Sequence, residues 1–181
     1  LETALRSAKG RISVIAATGS QSLLESLELT RHAEKTGADA VLVVTPYYIR
    51  PPQQGLVDYF IEIGRSTGVP LLIYHIPGRA AVSITAASVA KISDAVPNLV
   101  GIKHAAADLE IITELLARLG PEFRIFCGLE ELSLPMLVLG ASGVMNAVGN
   151  LDPTRVAALC TAVRNGDLAG ARKLHMDLFE L

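Results

Sequence analysis

The stretch AVLVVTPYYIRPPQQGLVDYFIEIGRSTGVPLLIYHI, from Ala40 to Ile76, decides the fold. It opens and closes with the apolar runs Ala40–Thr45 and Leu71–Ile76, which are typical of parallel strands covered on both faces. Between the two runs, Gln53 to Ser66 carries apolar residues at helical spacing. A strand, a helix and a second strand in this order predict a parallel βαβ unit.

The same alternation extends along the whole chain. Further strands are predicted at Ile12–Ala17, Leu99–His104, Arg124–Cys127 and Gly143–Ala147. Further helices are predicted from a cap at Ser20 through Lys35, ended by Gly37, and over Thr85–Asp94, Asp108–Leu119, Leu132–Leu139 and Pro153–Val163. The chain also begins in helix-like sequence and ends in it, at Lys173–Leu181.

Two α/β architectures contain such repeats, an open doubly wound sheet and a closed (β/α)8 TIM barrel. The sequence has no Gly-x-Gly-x-x-Gly after its first strand and no P-loop, which favours the barrel. Six predicted strands are two short of the eight that close a barrel. We therefore expect residues 1–181 to form one partial TIM-barrel domain that lacks the first two strands, with those units preceding Leu1 and more chain at both ends.

The composition indicates a protein that acts on small molecules. A net charge of −2 and a pI near 6.1 give no electrostatic basis for binding nucleic acid or an anionic membrane. No apolar run approaches the roughly 18 residues of a membrane span. Cys127 and Cys160 lack Cys-x-x-Cys spacing, so we expect no disulfide and a reducing, cytoplasmic location. The four histidines lack zinc-ligand spacing, so we expect no metal.

Lys103 is the central candidate for chemistry, because barrel active sites form at the carboxyl ends of the strands. Strand alternation places it on the same face as Gly101 and opposite Ile102. A lysine inside a barrel is desolvated, which lowers its pKa and leaves free amine to attack a carbonyl. The alternative is a lysine at a strand end that extends its charge into water.

Other polar residues at strand ends are candidates with open alternatives. Tyr74 is placed to shuttle protons near the amine, or else is a core tyrosine. Arg79, after a Pro-Gly turn, is suited to bind a carboxylate, or else is a solvated loop residue. Tyr47 and Tyr48 suit an interface between subunits.

Four further residues are expected to have no direct chemistry. Strand alternation turns His75 and His104 away from their neighbours, which predicts supporting or packing roles. Glu130 and Glu131 open a predicted helix, where acidic residues favour the helix dipole.

Three motifs together resemble one family. Val44-Thr-Pro-Tyr-Tyr48, Tyr74-His-Ile-Pro-Gly-Arg79 and Gly101-Ile-Lys103 occur in the order and at the distances found in the dihydrodipicolinate synthase and N-acetylneuraminate lyase family. Members of this family are barrel-shaped class I aldolases. The resemblance extends along essentially the whole chain.

The resemblance implies a role for each candidate. Lys103 would form an imine with the keto carbon of pyruvate, and Tyr74 would shuttle protons beside it. Tyr48 would belong to a proton relay that reaches a neighbouring subunit of a homodimer or homotetramer, with Tyr47 packing at that interface. Arg79 would bind the carboxylate of the second substrate. The pyruvate pocket would be lined by Gly128 and the backbone of Met145. No metal or organic cofactor is implied, because the lysine imine is the electron sink.

Departures from the family pattern keep the reaction open. Its synthases usually have Tyr-Asn at Tyr74-His75, Lys-Glu at Lys103-His104, and Ser-Gly-Asp-Asp at Cys127-Gly-Leu-Glu130. The main expectation is a lyase like 4-hydroxy-tetrahydrodipicolinate synthase, which joins or separates pyruvate and an acidic aldehyde. A catabolic 2-keto acid aldolase is the alternative, such as one that cleaves 2,4-dihydroxyhept-2-ene-1,7-dioate to give succinic semialdehyde. Arg79 argues against a sialic-acid lyase, which lacks that arginine.

Two other classes are weaker alternatives. A non-catalytic barrel homologue would be expected to lose the lysine or the tyrosine, and both Lys103 and Tyr74 are present. A phosphate-binding barrel would need a stronger glycine-rich loop than Gly140-Ala-Ser-Gly143. The family's Gly-Thr-Thr-Gly-Glu loop, which binds the pyruvate carboxylate, is absent from these 181 residues. We therefore expect the isolated segment to be inactive or poorly folded.

Overall fold

The structure is a computed structural model that describes residues 1–180 of the chain. Within these residues six strands form: β1 (Ile15–Ala17), β2 (Ala40–Val44), β3 (Leu71–His75), β4 (Leu99–His104), β5 (Arg124–Cys127) and β6 (Gly143–Val144). The helices are α1 (Glu2–Ala8), α2 (Leu23–Thr36), α3 (Gln53–Arg65), α4 (Pro77–Ala80), α5 (Ala86–Ala95), α6 (Glu110–Leu119), α7 (Ser133–Val138), α8 (Pro153–Arg164) and α9 (Leu168–Phe179).

The strands follow one another in the sheet in chain order, β1-β2-β3-β4-β5-β6. The pairs β1–β2, β2–β3 and β5–β6 are parallel. A doubly wound sheet reverses its strand order at a switch point, whereas a barrel adds each new strand on the same side. The predicted α/β class with parallel strands is confirmed, and the strand order is that of a barrel.

Some predicted boundaries are wrong, for reasons visible in the hydrogen bonds. β1 begins at Ile15 rather than Ile12, because the N–H of Val14 already donates to the Asp39 carboxylate at 2.7 Å. β6 ends at Val144 rather than Ala147, because the N–H of Ala147 donates to the Glu130 carboxylate.

Some helix boundaries also differ from the predicted ones. The cap of α2 is Ser22, whose hydroxyl accepts from the N–H of Glu25, while the Ser20 hydroxyl bonds to the Glu25 carboxylate. Gly37 ends this helix as predicted, in the left-handed conformation at φ 94°. The one-turn helix α4 is not signalled by hydrophobic periodicity, and α9 begins at Leu168, five residues before the predicted Lys173.

Residue contacts divide the chain into two compact units, Leu1–Ile102 and a second that begins at Lys103. The prediction of one domain over residues 1–181 stays a prediction.

The first unit contains a polar cluster that involves the loop after β1. In it, the Tyr59 hydroxyl donates to the carbonyl of Ser20 at 2.7 Å and lies 2.7 Å from the Ser26 hydroxyl. The large, fully buried side chains of this unit include Leu56, Phe60, Ile63, Leu71, Ile73, Ile84 and Ile92.

The second unit has an apolar core of its own. Its fully buried large side chains are Ile112, Leu115, Ile125 and Met136. A second cluster joins α7, α8 and α9 through Leu137, Val148, Val156, Leu159, Ala171 and Leu178. Of the helices within residues 1–180, none is both long and apolar enough to cross a membrane.

Candidate active site

The loop after β2 presents two aromatic side chains. Tyr47 is 41% exposed and Tyr48 is 84% exposed. Tyr48 has the left-handed φ of 73°, which is uncommon for a bulky residue, and its N–H donates to the carbonyl of Ala80 at 3.3 Å. At the start of the loop, the N–H of Thr45 donates to the carbonyl of Tyr74 at 3.1 Å. β3 and the segment after it therefore fix the path of the loop after β2.

A cavity of about 340 Å³ lies at the carboxyl ends of β1, β2 and β3. Three of the predicted site residues line it, Tyr47, Tyr74 and Arg79. Tyr74 is half-buried at the end of β3, and Arg79 is exposed on α4. The structure therefore brings together a phenol and a guanidinium suited to proton transfer and carboxylate binding. Tyr48 lies outside the lining of this cavity.

Gly19 also lines this cavity and was not among the predicted site residues. A Cβ at this position would lie 2.3 Å from the backbone nitrogen of Val44 and 2.9 Å from its Cγ1. Only glycine permits this close approach of the loop after β1 to β2. The signal in the sequence is a glycine two residues beyond a strand end, which periodicity alone does not mark as functional.

Lys103 is the last residue but one of β4, as predicted. It is half-buried, whereas Gly101, Ile102 and His104 are buried. The amine of Lys103 is therefore only partly removed from water, and its charged form loses only part of its hydration. Lys103 therefore lies at the boundary between core and solvent, where a nucleophilic amine can meet a small substrate.

Gly128 packs directly against the side chain of Lys103. A Cβ at Gly128 would lie 3.0 Å from Cε of Lys103 and 2.7 Å from Cβ of Ala105. The N–H of Gly128 donates to the carbonyl of His104 at 2.8 Å, and the N–H of Met145 donates to the carbonyl of Cys127 at 2.7 Å. The second unit thus holds Lys103 and Gly128 in contact, and Met145 follows directly after β6.

The two histidines have the packing positions expected from strand alternation. His75 is 3% exposed and His104 is fully buried. Nε2 of His104 donates to the carbonyl of Asp108 at 2.8 Å, and burial lowers the pKa of this imidazole below its ordinary value. His104 is therefore neutral at pH 7 and supports the loop after β4.

Both cysteines are free thiols. Burial raises the pKa of Cys127 and of Cys160, so both stay protonated at neutral pH and are poor nucleophiles. Cys127 donates through Sγ to the carbonyl of Leu129 at 3.0 Å. Over residues 1–180, His, Cys, Asp and Glu side chains do not gather in threes as metal ligands would.

Glu130 makes contacts that the sequence did not predict. Its Oε1 accepts from the N–H of Ala147 at 2.6 Å and from the N–H of Val148 at 3.1 Å. The sequence predicts Glu130 only at a helix start, and this residue does begin a short 3₁₀ turn, Glu130–Leu132. No local pattern links residues 17 and 18 positions apart, so this contact emerges only from the fold.

Comparison with known proteins relates the whole chain to one family. The sequence profile of the Dihydrodipicolinate synthetase family matches residues 1–181. A 4-hydroxy-tetrahydrodipicolinate synthase of Thermus thermophilus is 46% identical over 181 residues, which are 99% of this chain and 60% of the relative. The chain thus spans about 60% of the length of the curated relatives that it matches.

Solved structures give the same relationship. The crystal structure of dihydrodipicolinate synthase from Aquifex aeolicus superposes with a TM-score of 0.96 at 38% identity, covering 99% of this chain and 61% of the other. A chloride-inhibited dihydrodipicolinate synthase from Acinetobacter baumannii, complexed with pyruvate, has a TM-score of 0.91 at 33% identity, covering 96% and 60%. The predicted fold, part of a TIM barrel, is confirmed. The chain belongs to the dihydrodipicolinate synthetase family.

Proposed function

We propose that the protein is a Schiff-base-forming lyase, like 4-hydroxy-tetrahydrodipicolinate synthase, that joins pyruvate to an acidic aldehyde. The observation that carries the proposal is Lys103, half-buried at the carboxyl end of β4 and packed against Gly128, in a chain of the synthase family. The relative from Thermus thermophilus bears the name of that synthase.

The reaction begins at the amine of Lys103. The neutral amine attacks the keto carbon of pyruvate, and loss of one water gives the imine. The cationic imine withdraws electrons, so a C3 proton leaves and an enamine forms. The enamine carbon attacks the aldehyde carbon, whose oxygen takes up a proton, and water then hydrolyses the imine and releases Lys103.

Other residues supply protons and recognition. Tyr74, half-buried in the cavity, is proposed to carry protons to and from the imine-forming centre, and Tyr48 to continue the relay toward a neighbouring subunit. Arg79 is exposed in the same cavity and is proposed to bind the carboxylate of the aldehyde. Gly128 and the backbone of Met145 are proposed to line the pyruvate pocket.

The proposal extends to the oligomeric state, the cofactor requirement and the cellular location of the protein. The exposed Tyr47 and Tyr48 suit an interface of a homodimer or homotetramer. The imine serves as electron sink, so the proposed reaction needs neither a metal nor an organic cofactor. Free cysteines suit the cytoplasm.

A substrate panel tests the proposal on the full-length protein. Pyruvate is supplied with aspartate 4-semialdehyde, succinic semialdehyde or uncharged propionaldehyde, and consumption of pyruvate is followed. We expect turnover with a carboxylated aldehyde, and Arg79→Ala should raise its KM on the order of tenfold to a hundredfold, since a charge-assisted bidentate contact is lost. Equal consumption of charged and uncharged aldehydes would contradict the role of Arg79. Exclusive use of succinic semialdehyde would replace the synthase-like reaction with the catabolic one.

A further inference from the structure

Glu130 connects the segment after β5 to the segment after β6. One carboxylate oxygen accepts from two consecutive N–H groups, those of Ala147 and Val148, at 2.6 and 3.1 Å. Val148 begins a 3₁₀ turn, Val148–Asn150, whose first N–H groups have no partner within the turn. An ionised carboxylate forms stronger hydrogen bonds with such groups than a neutral acceptor does.

We propose that Glu130 is a positioning residue for the pyruvate pocket, which it acts on through Met145 and Gly128. The inference rests on the proposed function, because it concerns the same pocket. Glu130 itself touches neither Lys103 nor substrate in this proposal. Its carboxylate holds the chain just beyond Met145, because it accepts from the N–H of Ala147, two residues after Met145.

A second set of hydrogen bonds also connects the segment after β6 to the segment after β5. The Asn146 amide donates to the Ser133 hydroxyl at 3.1 Å, and that hydroxyl donates to the carbonyl of Leu129 at 3.3 Å. These bonds are neutral, and they run to the same segment after β5 that carries Glu130. The Glu130 carboxylate, by contrast, supplies a charged contact between the two segments.

The segment that carries Glu130 also carries the wall of the Lys103 site. Gly128 lies two residues before Glu130, and a Cβ there would be 3.0 Å from Cε of Lys103. Met145 is bonded to Cys127, the neighbour of Gly128, at 2.7 Å. Removing the Glu130 carboxylate frees one end of this arrangement, and the pocket walls then shift relative to the amine.

The test uses a readout that needs pyruvate alone. Imine and enamine formation exchange the C3 hydrogens of pyruvate with solvent deuterium, which NMR follows at several pyruvate concentrations. Glu130→Ala, Glu130→Gln and the control Glu131→Ala are compared in the full-length protein, together with the midpoint of thermal unfolding. Glu131 is the adjacent carboxylate and is exposed.

Loss of the Glu130 carboxylate should change pyruvate binding by the folded protein. Glu130→Ala should raise the KM for pyruvate on the order of tenfold, as expected when a site group is displaced by a fraction of an ångström. Glu130→Gln keeps a neutral oxygen acceptor and should recover part of that loss, and Glu131→Ala should match the parent protein.

Each contrary outcome has a distinct meaning. A parent protein that exchanges pyruvate, with Glu130→Ala and Glu130→Gln lower in unfolding midpoint but unchanged in KM, would show a structural role only and overturn the inference. If Glu130→Ala does not fold, the KM for pyruvate and the unfolding midpoint of Glu130→Gln are compared with those of the parent in the same way. A folded parent protein that exchanges no pyruvate would overturn the proposed function, and this inference with it.

Discussion

Gly128 is the residue whose size decides the room left for Lys103. Its hydrogen atom faces Cε of Lys103 and the side chain of Ala105, where a methyl group would lie 3.0 and 2.7 Å away. Cβ of Ala105 and the carbonyl oxygen of His104, 3.3 Å away, are held by the backbone, and the N–H of Gly128 donates to that carbonyl. The group that must yield to a methyl is therefore the flexible side chain of Lys103.

Gly128→Ala should therefore displace the amine of Lys103 and lower the rate of pyruvate exchange on the order of a hundredfold. Gly149→Ala is the matched control, because the added methyl would lie 3.6 Å from Oδ1 of Asn146, an ordinary contact. Exchange rates of both variants, measured by NMR, check this. If Gly128→Ala exchanged pyruvate at the parent rate, glycine would not be required at this position to place the amine of Lys103.

His104 should make stability depend on pH. Burial lowers the pKa of His104 in the folded protein, so the unfolded chain binds this proton at a higher pH than the folded chain does. The stabilisation is therefore fully present above about pH 6.5, the ordinary histidine value. It falls as the pH drops through that value toward the lowered pKa.

Urea unfolding between pH 7.5 and 5.5 measures this effect. His104→Gln keeps a side-chain donor for the carbonyl of Asp108 and removes the titration, so its free energy of unfolding should vary less with pH over this range. His32→Gln, at an exposed position, should keep the parent slope. If the free energy of unfolding varied equally with pH in the parent and in His104→Gln, the pH dependence would not come from His104.

At the scale of elements, α3 supports the loop after β1 through one hydroxyl. Tyr59 on α3 donates to the carbonyl of Ser20 and lies 2.7 Å from the Ser26 hydroxyl on α2. Its ring is also 5.2 Å from that of Phe60 in an edge-to-face contact, and burial raises its pKa. The hydroxyl thus joins two helices and the loop that contains Gly19.

Tyr59→Phe should keep the ring packing and lose about 1–2 kcal/mol of unfolding free energy, because Ser20 and Ser26 lose a buried partner. Denaturant unfolding of the full-length protein measures the change. Phe60→Leu serves as a comparison for packing alone, without loss of a hydrogen bond. No loss of stability in Tyr59→Phe would mean that water replaces the hydroxyl.

Elements with strong periodicity could be predicted from the sequence, and long-range polar contacts could not. β4 and β5 begin and end where their apolar runs do, and α3 differs by one residue. The end of β6 was missed because Glu130, far away in sequence, takes the N–H of Ala147. Local spacing contains no information about which distant carboxylate reaches a strand end.

At the scale of the whole molecule, the chain-order sheet and the family relationship agree on part of a TIM barrel. The motifs in the sequence marked candidate residues at the ends of strands, because the active sites of parallel barrels form at the carboxyl ends of their strands. The structure adds the support that motifs omit, such as Gly19 beside Val44 and Gly128 beside Lys103. Those contacts depend on which strands are neighbours, which follows from topology rather than from spacing.

Imine formation at Lys103 is the claim on which the proposed function depends. The full-length protein is incubated with pyruvate and sodium borohydride, and its peptides are analysed by mass spectrometry, with Lys103→Ala as the control. We predict a reduced pyruvate adduct on the peptide that contains Lys103, and no adduct in the variant. A folded protein that gives no adduct at saturating pyruvate, or one that carries it on another lysine, would contradict the proposed function.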